Sequence, residues 1–275
     1  MNEQTVLTAA IAAKRCSKQP FCLDFSTCTD ITDGAAMVLG DIAEWQLDPR
    51  DKPVLLLNGL KLLADSSAHH LGRCSYRIVL NGLDKLSDAA AASLSNSGNC
   101  GEAGGPGLDG LTELSDTAAK YLSRCQLPPS LNSLANLSET AALTFSRCNW
   151  YSLELNGLTN LPDSVAQHLE NFRGDEIHLN GIKQLSDFAA QCFAKFKGRY
   201  LALCGLESLT ELQAESLRRF KGRYLALDGL TALSPAAAES LTKFRGTWIS
   251  LQGLTHPSPD VRKILKAGHG TCNCP

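Results

Sequence analysis

The sequence predicts an α/β repeat fold in which short parallel strands alternate with helices along a solenoid, and three observations predict it. Gly157, Gly181, Gly205, Gly229 and Gly253 stand 24 residues apart. Each follows an apolar-x-apolar triplet, such as Ile177-His178-Leu179 or Ile249-Ser250-Leu251, and a period of two marks a short strand with one buried face. After the glycine comes a second pattern with helical spacing, rich in alanine and leucine. Equivalent positions run backwards through Ser133, Gly110, Gly82, Gly59 and Thr27, at spacings of 24, 23, 28, 23 and 32. About ten units then cover residues 21–265 and leave no room for a separate catalytic domain.

Within a unit each element has its own cause. The triplets, Leu55-Leu56-Leu57 and Ile78-Val79-Leu80 among them, send alternate side chains inward. The glycine permits the backbone turn that ends the strand. A leucine follows (Leu86, Leu114, Leu137, Leu161, Leu185, Leu209, Leu233), and in most units a Ser or Thr comes after it. Ser87, Ser115, Ser138, Ser186, Thr210, Ser234 and Ser258 are expected helix N-caps, because their hydroxyls accept from a free amide of the first turn. Asp or Glu next to the cap suits the helix dipole, and Pro235 and Pro259 stand where a first-turn proline costs nothing. An alanine column (Ala36, Ala68, Ala91, Ala119, Ala142, Ala166, Ala190, Ala214, Ala238) and a large apolar column three residues on, from Leu39 to Leu265, share one helical face. The fixed alanine implies close packing of helix on strand. Phe172, Phe196, Phe220 and Phe244 end that face, and Gly174, Gly198, Gly222 and Gly246 are read as helix stops after about three turns.

Such units cannot bury their apolar faces alone, so they stack. Helices are wider than strands, and the stack is expected to curve with its sheet on the concave side. The pattern resembles bacterial leucine-rich repeat proteins built on the motif LxLNGLxxLSDxAAxxLAxFKG, a likeness that spans nearly the whole chain. It implies a horseshoe solenoid with the sheet on the concave face and helices on the convex face. The chain departs from the common leucine-rich motif in placing Asn58, Asn81, Asn156 and Asn180 directly after the second strand leucine. Three segments are expected: an N-terminal cap or extension at 1–20, the array at 21–265 (irregular over 95–130, regular from about 150), and a tail at 266–275.

Composition narrows the class. With 44% hydrophobic and 20% charged residues the chain can bury a core, and no run approaches the ~18 apolar residues of a membrane helix. A formal charge of -2 gives no overall pull on nucleic acid or an anionic membrane, so neither is an expected partner. The run Val6 to Ala13 is short and alanine-rich, and Glu3 stands where a signal peptide would be basic. The cytoplasm is the expected compartment, with secretion or a cell-surface position left open. Eleven cysteines, an odd number without paired spacings, argue against a disulfide framework. Cys74, Cys125 and Cys148 share the phenylalanine column and are expected to be buried free thiols, with Cys28, Cys192 and Cys204 also structural.

Several features fall outside the repeat consensus. Ser95 to Gly107, with five glycines and a proline, reads as a decayed repeat or a binding loop, and Pro128-Pro129 removes two strand donors. His269, Cys272 and Cys274 lack the spacing and ligand number of a zinc site. His168, His69 and His70 fall on helix positions expected to face solvent. No nucleotide loop, paired-carboxylate signature or zincin motif is present, so an enzyme reading has no residues to point to, and no cofactor or metal is expected.

Strand periodicity identifies the exposed sheet face. One column is Val54, Arg77, Pro128, Ser152, Glu176, Tyr200, Tyr224 and Trp248; the next is Leu56, Val79, Ser130, Glu154, His178, Ala202, Ala226 and Ser250. Tyr200, Tyr224 and Trp248 are expected to form an apolar ledge with Ala202 and Ala226 leaving room above the sheet, flanked by basic turn residues that include Arg199 and Arg223. Exposed Tyr, Trp and Arg are the types enriched at interface hot spots. The candidate binding residues are therefore Tyr200, Tyr224, Trp248, Glu154, Glu176, His178, Arg199 and Arg223. The reading is a non-catalytic module that binds another protein; the alternative is a structural or surface-coat repeat protein.

Overall fold

A computed structural model describes residues 6–16, 22–41, 54–74, 76–95 and 105–267, together with the backbone of 272–273. The chain divides into two compact units, residues 1–134 and 135–275. Both are stacks of strand–helix units with parallel strands only, among the described residues.

The first unit holds β1 (Val6–Leu7), α1 (Ala9–Cys16), β2 (Cys22–Asp24), β3 (Asp30–Ile31), α2 (Asp33–Gly40), β4 (Val54–Leu56), α3 (Asp65–Leu71), β5 (Arg77–Val79), α4 (Asp88–Ser95) and α5 (Asp116–Leu122). Strands β2, β4 and β5 form a parallel sheet in which Leu23, Leu55 and Ile78 lie side by side. That register makes Thr27 the counterpart of Gly59, as the repeat alignment requires.

Pairing continues past β5, which corrects the expectation that the Gly-rich and Pro-Pro segments break it. Gly107 bridges Val79 on one side and Ser130 on the other. The Gly107 amide donates to Ile78 O and the Ser130 amide to Pro106 O, so the ladder resumes directly after the two prolines. A Cβ on Gly107 would lie 2.8 Å from Val79 Cγ1, so only glycine fits there. Of the loop at 95–107, residues 96–104 lie outside the described residues, as does most of the His269/Cys272/Cys274 tail.

Residues 6–16 behave as the helical half of a further repeat. Val6 and Leu7 pair with Asp30 and Ile31, Leu7 and Ala12 are buried, and α1 packs on α2.

The second unit runs α6 (Glu139–Ser146), β6 (Ser152–Glu154), α7 (Asp163–Leu169), β7 (Glu176–His178), α8 (Asp187–Lys195), β8 (Tyr200–Ala202), α9 (Glu211–Leu217), β9 (Tyr224–Ala226), α10 (Pro235–Thr242), β10 (Trp248–Ser250), α11 (Pro259–Ala267) and β11 (Cys272–Asn273). Strands β6 to β11 pair in sequence order, and β11 from the tail extends the sheet beyond β10.

The helices start at the expected caps. Ser87, Ser115, Ser138, Ser186, Thr210, Ser234 and Ser258 each accept from the amide three residues on, and Thr210 and Gln213 make a full capping box. Thr32 caps α2 in the same way, while Ala64 and Pro162 begin α3 and α7 without a side-chain bond. Cap hydroxyls also donate to the first-turn carboxylate of the preceding repeat: Ser186 to Asp163 (2.5 Å), Thr210 to Asp187 (3.3 Å), and Ser115 to Asp88. Asp88, Asp163 and Asp187 thus serve the next repeat as well as their own helix dipoles.

Every alanine of the predicted column is buried, and so is the residue before it, such as Ala90, Ala141, Ala189 and Ala237. A second buried column, mostly of alanine, therefore runs beside the first. Gln213 breaks it and satisfies its buried amide by donating to Leu185 O at 2.6 Å.

The asparagines after the strand leucines form a ladder. Asn58 Oδ1 accepts from the Asn81 amide (3.2 Å), Asn81 from Asp109 (3.1 Å) and Asp109 from Asn132 (3.0 Å). In the second unit Asn156 accepts from Asn180 (3.2 Å), Asn180 from Cys204 (3.0 Å) and Asp228 from Gln252 (2.9 Å). Each bond satisfies a backbone amide that would otherwise be left without an acceptor at the strand end.

Two expectations about the helix end are corrected. The helices are seven to nine residues long, nearer two turns than three. Gly174, Gly198, Gly222 and Gly246 stand beyond the helices rather than stopping them: a Cβ at Gly198, Gly222 or Gly246 would lie 2.1–2.3 Å from Cζ of the phenylalanine two residues earlier. Those rings stack, with centroids 6.4, 5.9 and 6.4 Å apart from Phe172 to Phe244.

Candidate binding face of the sheet

The parallel register places Ser152, Glu176, Tyr200, Tyr224 and Trp248 side by side, and Glu154, His178, Ala202, Ala226 and Ser250 in the adjacent column. Leu153, Ile177, Leu201, Leu225 and Ile249 between them are buried, so both columns face away from the helices. Tyr224 is 37% and Trp248 42% exposed. Tyr200 is half-buried between His178 (ring centroids 5.1 Å apart) and Tyr224 (6.3 Å). Burial, and then Cys204, Asp228 and Glu176 nearby, push the Tyr200 phenol up, so it stays a neutral donor.

The acidic end of the face is organised around Glu176. His178 Nε2 lies 3.2 Å from its carboxylate. Tyr151 hydrogen-bonds to the same carboxylate, which raises the phenol's pKa. Tyr151 is 55% exposed and was not among the candidates. It stands one residue before the strand, in the turn column that continues through Asp175, Arg199, Arg223 and Thr247, and reading that column together with the strand columns would have found it. Arg199 reaches Asp175 at 3.6 Å, and Arg223 is exposed. Glu154 is half-buried in the second column.

Ala202 and Ala226 differ from expectation. They are 1% and 4% exposed, so they do not open the surface. Beside them Asp228 accepts from the Ser250 hydroxyl at 2.5 Å and from the Cys204 thiol at 3.7 Å, and the Asp228 backbone hydrogen-bonds to Cys204. The ledge is therefore a row of rings beside a polar floor.

Other candidates are placed as follows. Cys74, Cys125 and Cys148 are buried thiols in the phenylalanine column, with Cys74 pushed up to about 12 and Cys148 to about 11 by burial. His168 is half-buried, 3.3 Å from Glu139, and His70 is half-buried with Nδ1 shielded and without a hydrogen-bond partner among the described residues. Both correct the expectation of solvated histidines, because helices of neighbouring repeats flank these positions. Among the described residues no group of three His, Cys, Asp or Glu side chains is placed to hold a metal ion, and no helix is long and apolar enough to cross a membrane.

No family model and no curated protein matches the sequence. Among solved structures the chain is similar to an internalin from Listeria monocytogenes, at 12% identity and a TM-score of 0.40, covering 92% of this chain and 76% of that one. The fold assignment rests on the chain's own strand pairing and cap pattern.

Proposed function

We propose that the protein is a non-catalytic binding module that engages another protein through the exposed face of its sheet. In this reading residues 21–265 form one array of about ten bacterial-type leucine-rich repeats of 23–24 residues. The observation that carries the binding proposal is the in-register row Tyr200, Tyr224 and Trp248, with two of its three rings more than a third exposed. Rigid aromatics offer contact area at low entropic cost, and their exposure to water is unfavourable until something covers them. Glu154, Glu176, His178, Arg199 and Arg223 supply a polar rim around the row.

The test is affinity capture from the native lysate with the parent chain and with a Tyr224→Ala/Trp248→Ala variant. Each truncation is expected to remove on the order of 2 kcal/mol of binding while thermal unfolding stays unchanged. Equal capture by both chains would assign the rings to cross-strand packing and favour a structural repeat protein.

A further inference from the structure

Arg173, Lys197, Lys221 and Arg245 occupy the same position in four successive repeats, between the stacked phenylalanine and its glycine. All four are exposed. The rings directly before them are 5.9–6.4 Å apart, so the backbone presents one cation about every 6 Å along this edge of the second unit. That separation is inside the ~8–10 Å screening length at ordinary salt, and the four repel one another.

Among the described residues no ion pair neutralises them. Nearby carboxylates are already engaged by a different row of cations: Glu170 by Lys195, Glu215 by Arg218 and Arg219, Glu239 by Lys243, and Asp175 by Arg199. Among the described residues none of the four track cations lies within ion-pair distance of a carboxylate. Helix dipoles do not require them either, because α7 to α10 end at Leu169, Lys195, Leu217 and Thr242, before the track position is reached. The track also borders a depression. One groove of about 860 Å³ is lined by Lys197 and Lys221 with Phe196, Leu212 and Glu215, and a second of about 620 Å³ by Arg173 and Lys197 with Glu170 and Asp175, carboxylates already paired as above.

We infer that this edge is an anion track that takes an extended acidic polypeptide segment with a carboxylate at every second residue. Alternate residues of an extended chain are ~6.6–6.8 Å apart on one side, which matches the cation period. The depression beside the track accommodates the peptide's intervening side chains. A nucleic-acid strand, whose charge would suit the same row of cations, is the competing occupant that the oligothymidylate probe tests. The track is separate from the aromatic row, and the two are tested apart.

The experiment is fluorescence anisotropy at low salt with three labelled probes: a peptide of about eight residues alternating Glu and Ser, the same composition with its glutamates clustered, and an oligothymidylate of similar length. The alternating peptide is expected to bind tightest and to weaken as salt rises. Lys197→Gln/Lys221→Gln is expected to lower its affinity by about fivefold, and Lys183→Gln, a cation paired with Glu207 at 3.3 Å, by less than twofold. Trp248→Ala should leave this binding intact, which separates failure of the track from failure of the aromatic face. Absent binding, equal affinity for the two peptides, or no effect of the double variant would overturn the inference. Tighter binding of the oligothymidylate would overturn it in favour of a nucleic-acid edge.

Discussion

A Cβ placed on Gly222 would lie 2.1 Å from Cζ of Phe220, so that glycine and that ring share one volume. The exchange runs the other way where cysteine replaces the phenylalanine. Trp150 follows Cys148 by two residues and Tyr76 follows Cys74, and both aromatics are buried. Each of these repeats delivers one ring, from one position or the other. Gly222→Ala is therefore expected to destabilise by roughly 1–3 kcal/mol and Phe220→Ala by roughly 3–5 kcal/mol. The double variant should cost less than their sum, because the ring that clashes is gone. Urea titration measures all three; strict additivity would identify the Gly198 carbonyl, 2.7 Å from the same Cβ, as the obstruction.

Ala190 is fully buried between α8 and the sheet, whereas Ala236 in α10 is exposed. Ala190→Leu should cost roughly 1–3 kcal/mol through overpacking, and Ala236→Leu almost nothing. Thermal melts check this, and matching midpoints for the two variants would show that the alanine column is loosely packed.

Ser186 both accepts from the Ala189 amide and donates to Asp163. Its replacement by alanine is expected to lose about 1–2 kcal/mol, the upper part of the range for caps. Part of that loss should vanish in an Asp163→Ala background, giving a coupling energy of about 0.5 kcal/mol or more in a double-mutant cycle. A coupling of zero would mean that the hydroxyl serves its own helix alone.

Cys74 and Cys192 are pushed up to about 12 and Cys148 to about 11, mainly by burial. In the unfolded chain a thiol ionises near 8.5. Above that pH the unfolded state holds fewer protons than the native state, so stability is complete below about 8.5 and falls as pH rises toward 11–12. Melting temperature should drop across this range, with a smaller drop in a Cys74→Val/Cys148→Val variant. At pH 8 an alkylating reagent should modify Cys22, which is exposed, well before Cys74. Equal rates would place the Cys74 thiol in contact with solvent.

Which parts were legible in the sequence follows from the range of the interactions involved. Strands, turns and caps repeat because each unit solves the same local problem: Ser186 must accept from Ala189 three residues on, and Leu201 must alternate with Tyr200 and Ala202. Comparing units inside one chain exposes such rules, and the parallel register, the buried alanines and the outward aromatic row all followed from them.

What the sequence could not decide depends on volume and charge shared between repeats. Tyr151 stands in a readable turn column, but its bond to Glu176, a carboxylate of the next repeat, depends on how the two repeats stack. Ala202 and Ala226 are buried although strand alternation turns them away from the helices. Gly222 was legible as a break, yet its reason is a ring that folds back from Phe220. The charge of -2 describes the whole chain, whereas the track of Arg173, Lys197, Lys221 and Arg245 exists because stacking aligns one residue from each repeat. Periodicity along the chain determined which side chains face out; only the packing of one repeat on the next decided which of them meet.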